Sequence, residues 1–341
     1  MNTTVRREGD RVWLEGVSGW FVGDRESSVH AAQAAAMEAV GEDVPYWYLL
    51  GVSGLAFRMQ VSKDGLCPSS PHSFCGYGCH ARSSKALPWK LKLFEVKPDD
   101  AEGVAKARQA VVESIDRGVP VQYGSEEDGI IVGYQQGGDE WICYHPMREG
   151  GTKTFVETSW PWGILLFVEP KEEQPARREL ALGALEQAVE MAGAQEAGDY
   201  YLGLKAWESY LAKLSALQEA DEETRNGAMM GNSWIYECLA QYRGAAALYL
   251  RDVAGEFEAQ AADHLRKAAV LYERMSKEVL QDENHCLITV APLPWSLKEG
   301  KTWTNEKRQE QIERLQAALP LEREAIQEIQ SALDAAGAAA G

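Results

Sequence analysis

A charged segment with two prolines divides this sequence into parts of different periodicity. The segment is EPKEEQPARRE, at positions 169–179. Before it, short apolar runs are broken by Gly, Asp and Pro, a pattern typical of β-strands joined by turns. After it, longer runs carry apolar residues at helical spacing. The sequence therefore predicts two domains, an α+β domain at 1–168 and an all-α helical bundle domain at 169–341.

Two helices and several strands are predicted in the first domain. The run SSVHAAQAAAMEAVG predicts a helix that is capped by Ser27 or Ser28 and ended by Gly41. The run PDDAEGVAKARQAVVESIDRG predicts a second helix, with Asp99 and Asp100 at its N-terminus. Strands are predicted in VWLEGV, AFRMQV, LKLFEV, PVQYG, GIIVGYQ, EWICYH and GILLFVE. The last four are typical of an antiparallel sheet.

Length and charge narrow the class of protein. The 341 residues exceed what one hydrophobic core usually serves, which also favours two domains. A formal net charge of −18 argues against binding to the phosphate backbone of nucleic acid. No run has the apolar length of a membrane-spanning helix, and the start MNTTVRREGDR lacks the apolar core of a signal peptide. We therefore expect a cytoplasmic protein that binds neither nucleic acid nor membrane, with its cysteines as free thiols.

The order of elements in the first domain resembles a known family. A helix begins at a small polar residue, and the strand pair G-x-P-V and I-x-V-G-Y follows at 118–121 and 130–134. This pattern resembles papain-like proteins of the C39-peptidase-like group. Residues 12–168 look most similar to the N-terminal domain of the butirosin biosynthesis acyltransferase family, whose members also have a helical C-terminal region. The resemblance implies a papain-like fold and an acyltransferase or amide-hydrolase ancestry.

The resemblance also implies a position for each catalytic group. In that family a cysteine at the start of the first helix attacks a carbonyl, a histidine activates the thiol, and an Asp or Asn orients the histidine. Here those positions fall on Ser28 (with Ser27 beside it), on Glu127 or Asp128, and on His145. Two hypotheses follow. Either the site has lost covalent catalysis, or the roles are redistributed, with His145 serving Ser28 and one of the two acidic residues orienting His145.

The stretch CPSSPHSFCGYGCH, at 67–80, concentrates thiols and imidazoles in one loop, which we call the thiol-rich loop. Its candidate ligand-binding residues are Cys67, His72, Cys75, Cys79 and His80. The Cys-x7-Cys and Cys-x3-Cys spacings match zinc sites poorly, so no metal site is predicted. One alternative is that a thiol of the loop supplies the nucleophile that Ser28 lacks. The other is an ordered pocket rim with free thiols.

Four further residues carry expectations. Arg58 is the one cation in WYLLGVSGLAFR and is a candidate to bind a ligand carboxylate. The remaining cysteines, Cys143, Cys238 and Cys286, are expected to pack as small apolar groups.

Two classes of function remain open at this point. As an enzyme, the protein would transfer or hydrolyse an acyl group at an amide, ester or thioester. As a binding protein, it would use the same cleft without covalent chemistry. A carrier-bound substrate is disfavoured because carrier proteins are usually acidic, as this chain is. The prediction is a small-molecule or peptide ligand, no cofactor, and altered or lost catalysis.

Overall fold

The computed structural model describes residues 3–20, 25–281, 290–292 and 302–338. Contacts divide the chain into two compact units. The first unit comprises the residues up to Leu49 together with Ser84–Gln174, and the second comprises Leu50–Ser83 together with the residues from Pro175 onward. The boundary between Gln174 and Pro175 lies inside the charged segment at 169–179 that divides the sequence.

In the described residues, strands and helices are interspersed in the first part of the chain, and most of the later elements are helices. The strands are β1 (Thr4–Glu8), β2 (Arg11–Glu15), β3 (Gln60–Ser62), β4 (Trp89–Phe94), β5 (Val121–Gly124), β6 (Asp128–Gln135), β7 (Glu140–Tyr144), β8 (Phe155–Glu157), β9 (Gly163–Pro170), β10 (Glu196–Ala197) and β11 (Tyr200–Leu202). The α-helices are α1 (Ser28–Val40), α2 (Tyr46–Val52), α3 (His80–Ala86), α4 (Ala101–Asp116), α5 (Arg177–Gly193), α6 (Gly203–Ala216), α7 (Glu222–Val253), α8 (Ala259–Arg274) and α9 (Asn305–Ala338).

The first unit is built around one antiparallel sheet. Its strands follow the order β1-β2-β6-β5-β9-β4, and β7 pairs with both β6 and β8. The four runs predicted to form an antiparallel sheet are β5, β6, β7 and β9, and that prediction is confirmed. Helices α1 and α4 pack on the sheet. Every residue of α1 except Glu38 is buried, and its many alanines let the helix lie close to its neighbours.

Local signals fix the ends of both helices. Gly41 ends α1 in the left-handed conformation, with φ of 88°, and its N–H bonds the carbonyl of Glu38, as the sequence predicted. Asp100 caps α4, because its carboxylate accepts a hydrogen bond from the N–H of Gly103 at 3.0 Å. On α4, Ala107, Val111 and Ile115 are fully buried, and Val104 on the same apolar face is half-buried.

The second unit contains a segment that the sequence analysis placed in the first domain. Residues 50–83 belong to it because β3 pairs with β11 through Gln60↔Leu202 and Tyr201↔Val61, forming a sheet of order β10-β11-β3. The predicted strand AFRMQV is also shorter than expected. Leu55–Phe57 forms a 3₁₀ turn, and the strand begins only at Gln60.

The rest of the second unit is helical, as the periodicity predicted. Helix α8 packs against both α7 and α9, and Pro320 lies inside α9. A buried ion pair lies among them. The guanidinium of Arg243 donates two hydrogen bonds of 2.7 Å to the carboxylate of Glu322, and a third, of 2.8 Å, to the carbonyl of Ala56.

The fold class is thus mixed α+β, with a large antiparallel sheet and a helical C-terminal region. None of the helices in the described part of the chain combines the length and apolarity needed to cross a membrane.

Candidate functional site

The candidate site of the first unit lies where the start of α1 meets the start of β6. Ser28 is the first residue of α1 and is 2% exposed. Its hydroxyl donates a hydrogen bond of 2.5 Å to Glu127 Oε2 and accepts one of 2.9 Å from the N–H of Asp128. The serine and the two acidic residues that the sequence analysis singled out therefore lie in one hydrogen-bonded cluster.

A tight turn between β5 and β6 presents Glu127 to Ser28. Within this turn the Ser125 hydroxyl donates to the carbonyl of Glu127 at 2.7 Å, and the Ser125 N–H donates to the same oxygen at 3.2 Å. These bonds fix the backbone of Glu127, and the turn therefore sets the direction in which its side chain leaves the backbone.

His145 follows β7 and lies behind the same turn. Its Nε2 is 3.1 Å from the Glu127 carbonyl and 3.1 Å from the Ser125 hydroxyl, while its Nδ1 accepts from the N–H of Met147 at 3.2 Å. An Nδ1 that accepts leaves the proton on Nε2, so the ring is a donor toward the turn. Burial lowers the pKa of His145, which favours this neutral form.

This geometry differs from the redistributed triad that the sequence analysis considered. That arrangement needs an unprotonated imidazole nitrogen at the Ser28 hydroxyl. Within the described part of the chain, both ring nitrogens of His145 are bonded elsewhere and the ring is not hydrogen-bonded to Ser28. The reason is the turn. Glu127 directs its carboxylate to Ser28 and its carbonyl to His145, so it lies between the two side chains.

Two buried carboxyl groups dominate the electrostatics of the cluster. Burial raises the pKa of Glu127 to about 7, and the hydrogen bond from Ser28 opposes that rise. Burial also raises the pKa of Asp128 to about 7, against a hydrogen bond from Gln122, while the neighbouring Glu127 adds to the rise. Near neutral pH the two carboxyl groups are therefore only partly ionised.

Ser27 occupies the N-cap position of α1, but its hydroxyl does not cap the helix. It lies 2.7 Å from Nδ1 of His30, and its N–H donates to the Tyr46 hydroxyl at 2.9 Å. Ser27 is thus bound to its own helix and to α2, and only Ser28 of the two serines takes part in the cluster with Glu127.

Arg58, in the second unit, has a structural role that the sequence analysis did not predict. It is 4% exposed, and its guanidinium donates hydrogen bonds to the carbonyls of residues in the thiol-rich loop, namely Ser70, His72, Cys75 and Tyr77. Four carbonyls use the donors that a ligand carboxylate would need. The expectation that Arg58 clamps a carboxylate is therefore corrected: Arg58 shapes the loop.

The thiols of the loop differ in access. Cys79 is 1% exposed, and burial raises its pKa, although Arg58 and Arg82 lie near enough to oppose the rise. Such a thiol is a poor nucleophile because both the thiolate and an approach path are needed. Cys67 and Cys75 are half-buried free thiols. The hypothesis that one of them acts as a nucleophile stays a prediction.

The imidazoles of the loop flank an exposed aromatic ring. The ring centroid of Phe74, a residue that is 51% exposed, lies 5.7 Å from that of His72 and 4.2 Å from that of His80. Burial, with Arg58 and His80 contributing, lowers the pKa of His72 to about 4, and burial lowers that of His80. Among the described residues, no group of three or more His, Cys, Asp or Glu side chains is arranged to hold a metal ion.

The other cysteines agree with the sequence analysis where the structure describes them. Cys143 and Cys238 are buried, 0% and 2% exposed, as expected for packed apolar groups. Cys286 lies outside the described residues.

Sequence reasoning missed Gln122 and Ser125. Gln122 donates from Nε2 to Asp128 Oδ2 and is 3% exposed, and Ser125 holds the turn that carries Glu127. One signal was available for Gln122. It is a polar residue inside the apolar strand run PVQYG, and a buried polar side chain needs a partner.

Comparisons with known proteins add no further assignment. No protein-family model matches the chain, and no curated protein matches it.

Proposed function

We propose that the first unit is a papain-like domain of acyltransferase or amide-hydrolase ancestry that binds a small-molecule or peptide ligand without forming a covalent intermediate. In this proposal a hydroxyl and a carboxyl group, those of Ser28 and Glu127, stand where the family has a thiol and an imidazole. The domain is then a non-catalytic relative, and the cleft beside α1 serves recognition.

The observation that carries the proposal is the hydrogen bonding of Ser28 and His145. A serine nucleophile needs a base to take its proton and a lone pair free to attack a carbonyl. The Ser28 hydroxyl donates a hydrogen bond to Glu127 and accepts one from the N–H of Asp128, and Ser28 is 2% exposed. The imidazole that would serve as its base donates to the Glu127 carbonyl instead.

One contact favours a second candidate function, an acyltransferase or hydrolase that uses a Ser28–Glu127 pair. Glu127 Oε2 lies 2.5 Å from the Ser28 hydroxyl, and burial raises the pKa of Glu127 to about 7, near the value expected of a general base. In this mechanism Glu127 takes the hydroxyl proton as Oγ bonds to the acyl carbon. The leaving group departs with a proton from Glu127, and water or another nucleophile then releases the acyl group from Ser28.

Acylation of the full-length protein tests the choice between the two. The protein is treated with p-nitrophenyl acetate and, separately, with a fluorophosphonate, and the site of any adduct is mapped by peptide mass spectrometry. The proposal expects no adduct at Ser28. Ser27→Ala is the matched control, since it removes the neighbouring hydroxyl, which is bonded to His30. An adduct at Ser28 that is absent from Ser28→Ala and present in Ser27→Ala would establish the enzyme and end the proposal.

A restored pair tests the ancestry. The double variant Ser28→Cys/Glu127→His returns a thiol and an imidazole to the two positions that are now in contact. A thiol beside an imidazole at a helix N-terminus has a lowered pKa, so iodoacetamide should alkylate the new thiol faster than in Ser28→Cys alone. Equal rates in the single and double variants would remove the support for a papain-like arrangement.

A further inference from the structure

Beside the Ser28 cluster, one face of the sheet lacks side chains on two neighbouring strands. Gly124, at the end of β5, pairs with Asp128 on one side and with Gly163, at the start of β9, on the other. Paired residues of an antiparallel sheet direct their side chains to the same face. The two glycines, both half-exposed, therefore leave open space on the face that carries the Asp128 side chain.

Distances from the two glycines show that each position has room for a methyl group. A Cβ atom added at Gly124 would meet nothing closer than Asp128 Oδ1 at 3.7 Å and the Gly163 nitrogen at 4.0 Å. A Cβ added at Gly163 would meet Leu93 Cδ1 and the Phe94 carbonyl, each at 3.7 Å. The space above Gly124 is thus bordered by a carboxylate oxygen, and the space above Gly163 by an apolar side chain.

A hydrogen-bond acceptor that has no partner in the described ranges lies on the same face of β5. Gln122 lies two residues before Gly124, on the same face of β5, and is 3% exposed. Its Nε2 donates to Asp128 Oδ2, but its Oε1 is buried with no hydrogen-bond partner. A buried carbonyl oxygen without a partner is unfavourable, so in native proteins such an atom is usually bonded to a ligand or water.

We propose that the space above Gly124 holds a protonated primary amine of the ligand, bound by Asp128 Oδ1 and Gln122 Oε1. This inference rests on the proposed function, because it assigns the ligand chemistry of the same cleft. It adds that the ligand is an amine whose apolar part extends over Gly163 toward Leu93.

The acceptors decide the chemistry. An ammonium group carries three donors and no acceptor, which matches two oxygen acceptors, one of them a carboxylate. An anion would meet the carboxyl groups of Glu127 and Asp128 and the exposed Glu126, with no cation of the turn to offset them. Leu93 is 55% exposed and Trp162 is 70% exposed, and the Trp162 N–H donates to the Gly124 carbonyl at 2.9 Å. The exposed Leu93 therefore offers apolar surface beside Gly163, as an aryl or alkyl amine requires.

Titration of the full-length protein with two small probes tests the inference. The probes are 2-phenylethylammonium and phenylacetate, which share a ring and carry opposite charges, and binding is followed by saturation-transfer NMR of the probe. We expect saturable binding of the ammonium probe and at least about tenfold weaker binding of phenylacetate. No binding of the ammonium probe, or equal affinity for both probes, would overturn the inference.

Two glycine variants form the matched pair. Gly124→Ala adds a methyl group at an ordinary contact distance from Asp128 Oδ1, so the sheet can accommodate it. The methyl group occupies the position that we assign to the ammonium group. Gly227→Ala adds the same methyl group on α7, where a Cβ atom would meet nothing within 4 Å. Affinity for the ammonium probe should fall at least about tenfold in Gly124→Ala and in Asp128→Asn, and stay within about twofold in Gly227→Ala. Equal affinities in Gly124→Ala and the unmodified protein would count against the site.

The result can be separated from that of the acylation test. If Ser28 is not acylated and the ammonium probe does not bind, the amine inference is wrong and the non-covalent proposal stands. If Ser28 is acylated and the ammonium probe still binds with the expected loss in Gly124→Ala, the amine inference holds and the protein is an enzyme.

Discussion

The Ser28 cluster and the thiol-rich loop are both rich in groups that serve chemistry, yet their hydrogen bonds have opposite patterns. Around Ser28, side chains bind one another, and Gln122 Oε1 is left without a partner. In the thiol-rich loop, the guanidinium of Arg58 donates its hydrogen bonds to backbone carbonyls. The difference shows that the partners of a polar side chain, more than its type, indicate whether it is available to a ligand.

The largest effect should come from removing the arginine. Arg58→Met leaves the carbonyls of the loop without their donor in a buried setting, and we expect a loss of about 3–5 kcal/mol in the free energy of unfolding. Arg6→Met is the control, because Arg6 is 53% exposed in its pair with Glu15 and its loss should cost under about 1 kcal/mol. Urea denaturation measures both. A loss below about 1 kcal/mol for Arg58→Met would mean that the loop does not depend on it.

The next effect concerns pH and the Ser28 cluster. The folded protein holds the Glu127 proton up to about pH 7, whereas an unfolded carboxyl releases it near 4.5. The folded state therefore binds more protons in this window, and stability falls as pH rises from about 4.5 to about 7. Glu127→Gln cannot titrate, so its stability relative to the unmodified protein should rise across the window by roughly 1–3 kcal/mol.

Denaturation at a series of pH values checks this prediction. Glu126→Gln is the matched control, since it removes an exposed carboxyl from the same turn. A Glu127→Gln profile parallel to that of the unmodified protein would show that Glu127 is not buried as described.

Replacing Ser27 and Ser28 one at a time distinguishes their contributions to stability. Ser28→Ala leaves the Glu127 carboxyl and the N–H of Asp128 without a partner, and should cost about 1–3 kcal/mol. Ser27→Ala loses the contact with His30 and should cost about 1 kcal/mol or less. Thermal unfolding of the two variants gives the order, and a larger loss for Ser27→Ala would contradict the cluster.

The smallest effect on stability is expected from the thiols. The prediction for them concerns reactivity, which differs from one thiol to another. In the folded protein Cys67 and Cys75 should react with a disulfide reagent such as Ellman's reagent, while Cys79 and Cys143 should react only after unfolding, because both are almost fully buried. Peptide mapping after a short exposure tells them apart. Rapid labelling of Cys79 would revive the hypothesis of a nucleophile in the thiol-rich loop.

Much of the first unit was predictable because its signals are local. Gly41 ends α1 and Asp100 begins α4 through contacts within a few residues, and short apolar runs broken by Gly, Asp and Pro predicted β5, β6, β7 and β9. The resemblance directed attention to Ser28, Glu127 and His145, and the papain-like fold that it implies stays a prediction. The place of residues 50–83 was not predictable. Pairing between β3 and β11 joins strands from distant parts of the chain, and a short strand carries no information about its partner.

The sequence by itself determined the residue types at the start of α1, the antiparallel character of the sheet and the helical C-terminal region. Only the tertiary structure decided which groups bond to each other. Ser28 and Glu127 are 99 positions apart, and the turn between β5 and β6 gives the Glu127 carboxylate to Ser28 and its carbonyl to His145. The physical reason is that a hydrogen bond needs the right direction between donor and acceptor and a distance correct to within a few tenths of an ångström. Spacing in the sequence sets neither once the partners lie on different elements.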